Sequence, residues 1–123
     1  MFSLSDSVRY WLYTEPTDMR KSYDTLSGIV TDRMCGRLLS GDAFVFLNRR
    51  RNLIKILRWE PGGLVLYSKR LEEGTFRRPP ASGSPGSSAE SSGMEWRDLV
   101  VMVEGIRERS GGRRRRMEKP PGV

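Results

Sequence analysis

Residues 43–68 read AFVFLNRRRNLIKILRWEPGGLVLYS, and their punctuation sets the fold class. Three short apolar runs, 43–47, 53–59 and 64–68, are divided by Asn48-Arg-Arg-Arg-Asn52 and by Glu60-Pro-Gly-Gly63. Runs of this length, rich in aromatic and β-branched residues and separated by Asn, Pro and Gly, favour strands joined by tight turns. The expectation is a three-stranded antiparallel meander. The first and third runs are apolar at consecutive positions, Phe44-Val-Phe-Leu47 and Leu64-Val-Leu66. Successive strand side chains point to opposite faces, so such runs require a sheet covered on both sides.

Upstream, residues 8–13 (Val-Arg-Tyr-Trp-Leu-Tyr) have strand composition and stop before Pro16, with Val8, Tyr10 and Leu12 on one face. From Tyr23 the spacing changes: Leu26, Ile29, Val30 and Met34 recur at helical intervals, Asp24 lies in the first turn and Gly36 follows. The spacing predicts an amphipathic helix over 23–34 with Ser22 as its N-cap. Arg20 and Lys21 precede that helix. Cations oppose the positive end of a helix dipole by about 0.3–1 kcal/mol each, whereas an anion would be attracted by dipole and side chains together. The arrangement reads as an anion site.

Downstream, 14 of the 15 residues 79–93 are Pro, Gly, Ser or Ala, the exception being Glu90. Such a segment cannot bury enough apolar surface to offset its ordering entropy, and a flexible linker is expected. Helical spacing resumes through Trp96, Leu99, Val100, Val103 and Ile106, which predicts a second helix over 94–107. It could fold back over the open sheet face or dock on another protein. Residues 108–123, with Arg113-Arg-Arg-Arg116 between glycines and prolines, read as a disordered basic tail.

The chain has 123 residues, 37% of them hydrophobic, enough for one small core. With 22 Lys and Arg against 15 Asp and Glu, the net charge is +7, and a pI near 10.2 points to nucleic acid or an anionic surface. Residues 1–80 hold 14 basic against 9 acidic residues, net +5, so the basic surface belongs to the folded part and not to the tail alone. One cysteine, Cys35, excludes an internal disulfide and reads as a reduced structural thiol. The absence of histidine excludes a Ser-His-Asp triad and makes a zinc site unsupported. No leader-like N-terminus and no apolar run of about 18 residues is present, so a cytoplasmic protein of bacterial type with no membrane partner is expected.

Arg49, Arg50 and Arg51 fall at the tip of the first hairpin, with Lys55 and Arg58 on the next strand and Lys69 and Arg70 ending the third. A cationic tip can straddle a phosphate backbone; it can also simply blunt a sheet edge. Three successive arginines exceed what solubility requires, which favours nucleic-acid contact. Asp18, Asp24, Asp42 and Glu60 are the acids a metal nuclease would use, but all except Asp18 have local structural explanations. Pairing with Arg20 or a capping role would account for Asp18. No catalytic residue, metal or cofactor is expected. Trp11, Trp59 and Trp96 lie within apolar patterns and read as core before they read as base-stacking platforms.

The string Pro16-Thr-Asp-Met-Arg-Lys-Ser-Tyr-Asp24, followed by Phe44-Val-Phe46, Arg49-Arg-Arg51, Ile54-Lys-Ile-Leu57, Trp59, Gly63, Lys69-Arg-Leu-Glu72, Gly74 and Phe76, closely resembles the TnpB (Orf2) accessory proteins of insertion sequence 66 type transposons. The resemblance runs over residues 5–79, with Leu99 to Ile106 similar to the family's last helix. It implies a role in transposition beside a separate transposase and another element-encoded accessory protein, and it carries no catalytic residues. The signature loop maps to Pro16, Thr17, Asp18, Met19, Arg20 and Lys21.

The expected architecture is α+β: strand, amphipathic helix and meander over 1–79, a linker over 80–93, a helix over 94–107 and a tail. The expected function is non-catalytic binding of DNA at transposon ends through Arg20, Lys21, Arg49, Arg50, Arg51, Lys55, Arg58, Lys69 and Arg70. The alternative is an adaptor that docks the transposase through the open sheet face or the second helix. One DNA surface requires the signature loop and the hairpin tip to lie on the same side of the domain.

Overall fold

In the computed structural model, residues 4–77 and 90–104 are described. The elements in order are β1 (Tyr10–Tyr13), α1 (Tyr23–Asp32), a single 3-10 turn (Leu38–Ser40), β2 (Ala43–Leu47), β3 (Leu53–Glu60), β4 (Gly63–Arg70), β5 (Ser91–Met94) and α2 (Trp96–Glu104). The fold is mixed α+β, with the strands in one five-stranded sheet of order β4-β3-β2-β1-β5. The runs 43–47, 53–59 and 64–68 form one side of it: β2 pairs antiparallel with β3, and β3 with β4 over eight residue pairs from Leu53↔Arg70 to Glu60↔Gly63. Three strands are not the whole sheet. β1 joins β2 in parallel, Tyr10 against Ala43, and β5 joins β1 antiparallel, Tyr13 against Ser91.

All five residues of β2 are buried, and alternation divides them between two cores. Ala43, Val45 and Leu47 face a cluster with Tyr10, Leu12, Ile54, Ile56 and Phe76, whereas Phe44 and Phe46 face one with Tyr13, Leu57 and the α1 residues Leu26 and Val30. The first cluster is closed by Leu99, Met102 and Val103 of α2. Burying side chains of this size contributes roughly 1.5–3 kcal/mol each. The second helix therefore covers its own sheet, and the face left open to an adaptor's partner in the sequence reading is occupied from within. Trp96 seats on Tyr10, ring centroids 5.8 Å apart, and Lys69 Nζ donates to the Val103 carbonyl at the end of α2.

The structure departs from expectation at β5, at the end of α1 and at β4. Ser91, Ser92 and Gly93, assigned to the linker, form β5 with Met94; main-chain pairing to β1 replaces the apolar side chains that a strand usually shows. Residues 80–89 of that linker, residues 105–107 of the helix and the tail lie outside the described residues. Helix α1 stops at Asp32 rather than residue 34, because the Arg33 and Met34 amides both turn back to the Ile29 carbonyl and Cys35 is left-handed at φ 56°. The third run was expected to be covered on both faces, yet β4 is an edge strand and Val65 is 42% exposed.

Gly36 closes the α1 exit against the core. A Cβ there would lie 2.6 Å from Phe44 Cε1 and 2.9 Å from Val30 Cγ1. Both neighbours are buried and cannot swing away. Gly36→Ala is expected to destabilise the fold by about 1–3 kcal/mol, the usual range for overpacking, read as a lower urea midpoint with an unchanged slope.

Candidate nucleic-acid interface

The first hairpin tip is built by two asparagines. The Asn48 side-chain oxygen accepts the Asn52 and Leu53 amides, both at 3.0 Å, and its amide nitrogen donates to Asn52 Oδ1 at 2.6 Å. The Arg51 amide donates to the Asn48 carbonyl at 3.0 Å, closing a turn over Arg49 and Arg50, and Arg51 itself is left-handed at φ 58°. The Asn48 amide donates to the Leu53 carbonyl at 3.2 Å, so residues 49–52 form a four-residue loop, and an arginine takes a left-handed place that glycine adopts more easily. An arginine there costs roughly 1–2 kcal/mol of backbone strain. The tip is braced from behind, since the Phe76 amide donates to the Arg51 carbonyl at 2.6 Å and the Leu71 amide to the Asn52 carbonyl at 2.8 Å, with Phe76 buried. Asparagine at both ends of the arginine triplet is the sequence signal for this bracing.

The signature loop lies against the same end of the sheet. The Thr17 amide donates to the carbonyl of Leu47, the last residue of β2, at 2.9 Å, so residues 16–21 pass beside the strand that runs into the tip. Asp18 shapes the loop: its carboxylate accepts the Arg20 amide at 3.0 Å and the Arg20 guanidinium at 2.6–3.2 Å, and its carbonyl accepts the Lys21 amide. Arg20 remains 91% exposed despite this pairing. Ser22 occupies the N-cap position, but its hydroxyl makes no capping bond. Thr17 is buried and its hydroxyl has no partner among the described residues.

Of the nine expected DNA-contacting cations, Arg20 is the one paired with Asp18, and the other eight divide into two sets. Lys55 Nζ donates to the carbonyls of Met19 and Lys21, each at 2.9 Å; Arg58 Nε donates to the Gly41 carbonyl at 2.7 Å and its guanidinium lies 4.0 Å from Glu60; Lys69 holds α2. These three are braces of the scaffold, and Arg58 lies towards the far end of β3. Lys21, Arg49, Arg50, Arg51 and Arg70 have no side-chain hydrogen bond or ion pair with another described residue, and Arg70 faces Leu53 beside the tip. Glu72 and Glu73 follow β4, so this end is not uniformly basic. The other acids are dispersed: Asp24 lies in the first turn of α1, and Asp42 accepts the Trp11 indole N–H at 3.0 Å. Among the described residues no three acids or thiols gather as metal ligands, and no helix is long and apolar enough to cross a membrane.

Two measurements follow from the loop and the tip. Arg51→Gly relieves the left-handed strain but loosens the unfolded chain, and a net gain of about 0.5–1 kcal/mol is expected from denaturant unfolding. The Arg20 side chain, then its amide, holds the Asp18 carboxyl well below the usual carboxylate range. A depressed carboxyl stabilises above its unfolded value, near 3.9, and loses that contribution as pH falls towards the folded value. Both groups are exposed, so the effect on global stability is small. Carboxylate NMR titration should find Asp18 still ionised where free aspartate is half protonated, and Arg20→Ala should raise the midpoint towards the ordinary value without reaching it, because the amide hydrogen bond at position 20 remains.

A family model described as "IS66 Orf2 like protein" matches residues 8–112. Two proteins of Sinorhizobium fredii (strain NBRC 101917 / NGR234) are similar to the chain. The uncharacterized protein y4hO is 36% identical over 104 residues, covering 79% of this chain and 90% of its own, and the uncharacterized protein y4jC is 29% identical over 102 residues, covering 78% and 87%. No solved structure matches. The family match spans most of the chain and includes both the signature loop and the arginine tip, and the chain belongs to the IS66 Orf2-like family, accessory proteins of insertion sequences.

Proposed function

We propose that this protein is a non-catalytic DNA-binding accessory factor of transposition that holds the phosphate backbone at transposon ends with the signature loop and the hairpin tip. The observation that carries this reading is their convergence: segments about 30 residues apart in sequence meet at one end of the sheet through the Thr17–Leu47 hydrogen bond. Lys21, Arg49, Arg50, Arg51 and Arg70 are the contacting cations, with the exposed Arg20 beside them. A strained arginine where glycine would be easier supports a role for the side chain itself. Lys55, Arg58 and Lys69 leave the contact list, because their charges serve backbone carbonyls.

The adaptor reading relied on an open sheet face and the outer helix. Those two surfaces bury one another, which favours DNA as the direct partner. The protein would act in the cytoplasm beside a separate transposase and the element's other accessory protein.

Mobility shifts with the element's terminal repeats and with random duplex, across a salt series, test the reading. Each phosphate neutralised on duplex DNA adds about 0.9 to the slope of log affinity against log salt, so Arg49→Ala/Arg50→Ala/Arg51→Ala should lower it by up to about 2.7. Alanine at position 51 bears a Cβ as arginine does, so the tip conformation costs the same. An unchanged slope would remove the tip from the interface.

A further inference from the structure

At the end of the sheet opposite the tip, the starts of β1 and β2 and the chain leaving α1 enclose a cleft of about 340 Å³. That volume lies within the range of small-ligand sites. Its apolar part is Trp11, Met34 and Phe44, and its cations are Arg9 and Arg37. The Trp11 indole N–H is taken by Asp42 Oδ2, which fixes the ring. Asp42 also lines the cleft, and its second oxygen has no partner among the described residues. Arg9 and Arg37 are exposed, and neither makes a side-chain hydrogen bond or ion pair with another described residue. Ser40 is spent locally, donating to the Arg37 carbonyl at 2.6 Å and accepting the Asp42 amide at 3.1 Å.

A ligand matching these groups has a flat ring for Trp11, an anion for the two guanidiniums and an amine for the open Asp42 oxygen. We infer that the cleft takes one unpaired nucleotide with an amino-bearing base such as cytosine, its phosphate on Arg9 and Arg37. Ring stacking supplies the sequence-tolerant part of such binding, and a carboxylate accepting from the cytosine amine supplies preference. A plain phosphate would leave the indole and the carboxylate oxygen unused. Choosing a DNA strand as the source of the nucleotide rests on the DNA reading above; the cleft's chemistry does not. Inside a duplex the base would be stacked and out of reach, so the cleft is for single-stranded DNA, such as an opened transposon end.

Cys35 is the chain's one cysteine, is exposed and lines the cleft, which makes its alkylation by iodoacetamide a local reporter. A deoxycytidylate hexamer and free deoxycytidine monophosphate should both slow the reaction in the full chain, roughly ten-fold at ten times the dissociation constant. Inorganic phosphate at equal concentration should not, and a deoxythymidylate hexamer should protect less. Arg9→Ala/Arg37→Ala should abolish protection with an unchanged circular dichroism spectrum, whereas the triple alanine tip variant should keep it. Protection by the mononucleotide alone overturns the strand as occupant. Equal protection by thymidylate overturns the role of Asp42. Equal protection by phosphate, none from either cytidine probe, or protection surviving in the double variant overturns the cleft as a nucleotide site. Duplex mobility shifts read the tip and alkylation reads the cleft, so either proposal can fail alone.

Discussion

β2 is enclosed on four sides, and the rest of the molecule follows from that enclosure. β1 and β3 hydrogen-bond its two edges, while clusters closed by α1 and α2 cover its two faces. A parallel neighbour cannot be reached by a tight turn, so the β1–β2 pairing demands a long crossover. Residues 14–42 supply it, and α1 is the part of the crossover that packs on the sheet. The signature loop is the other part: its position beside the tip is a consequence of where β1 must end and where α1 must begin.

The basic residues of this small domain are not interchangeable charge. Lys55 threads its ammonium between two carbonyls of the loop that precedes α1, the place where the sequence invites an anion. Carbonyl oxygens neutralise there what the helix dipole would otherwise oppose. Lys69 donates to one carbonyl near the C-terminal end of α2, where a cation suits the dipole. At this end of the sheet the arginines without a side-chain partner among the described residues are those at the tip and its flank, and the tip backbone is held by uncharged hydrogen bonds between Asn48 and Asn52.

Sequence pattern made β1 to β4 and both helices legible, because their side chains carry the alternation or helical spacing that burial requires. Val8, Tyr10 and Leu12 share a face in the structure as their spacing implies. β5 was illegible for the converse reason: Ser91-Ser92-Gly93-Met94 is a strand through its main chain, and its composition is that of a linker. The parallel β1–β2 pairing was hidden too, since alternation shows that a strand exists and not which neighbour it takes. Of the candidate site, charge and resemblance single out the loop and the tip, but which lysines face inward depends on register. Lys55 stands opposite Phe46, beneath the loop, and no local pattern records that. Arg9 and Arg37 are isolated cations 28 positions apart, brought to one cleft only by the crossover.

The order of synthesis gives β5 and α2 a further meaning. β1 finds β2 about 30 residues later, but its other edge stays bare until β5 is made, nearly 80 residues after it. Until α2 follows, Val45, Ile54 and Ile56 face water. A nascent chain ending before residue 90 therefore presents an unpaired strand edge beside an uncovered apolar face, the combination most prone to association between chains. In a truncated copy of the gene the missing C-terminal segment would be felt first as insolubility.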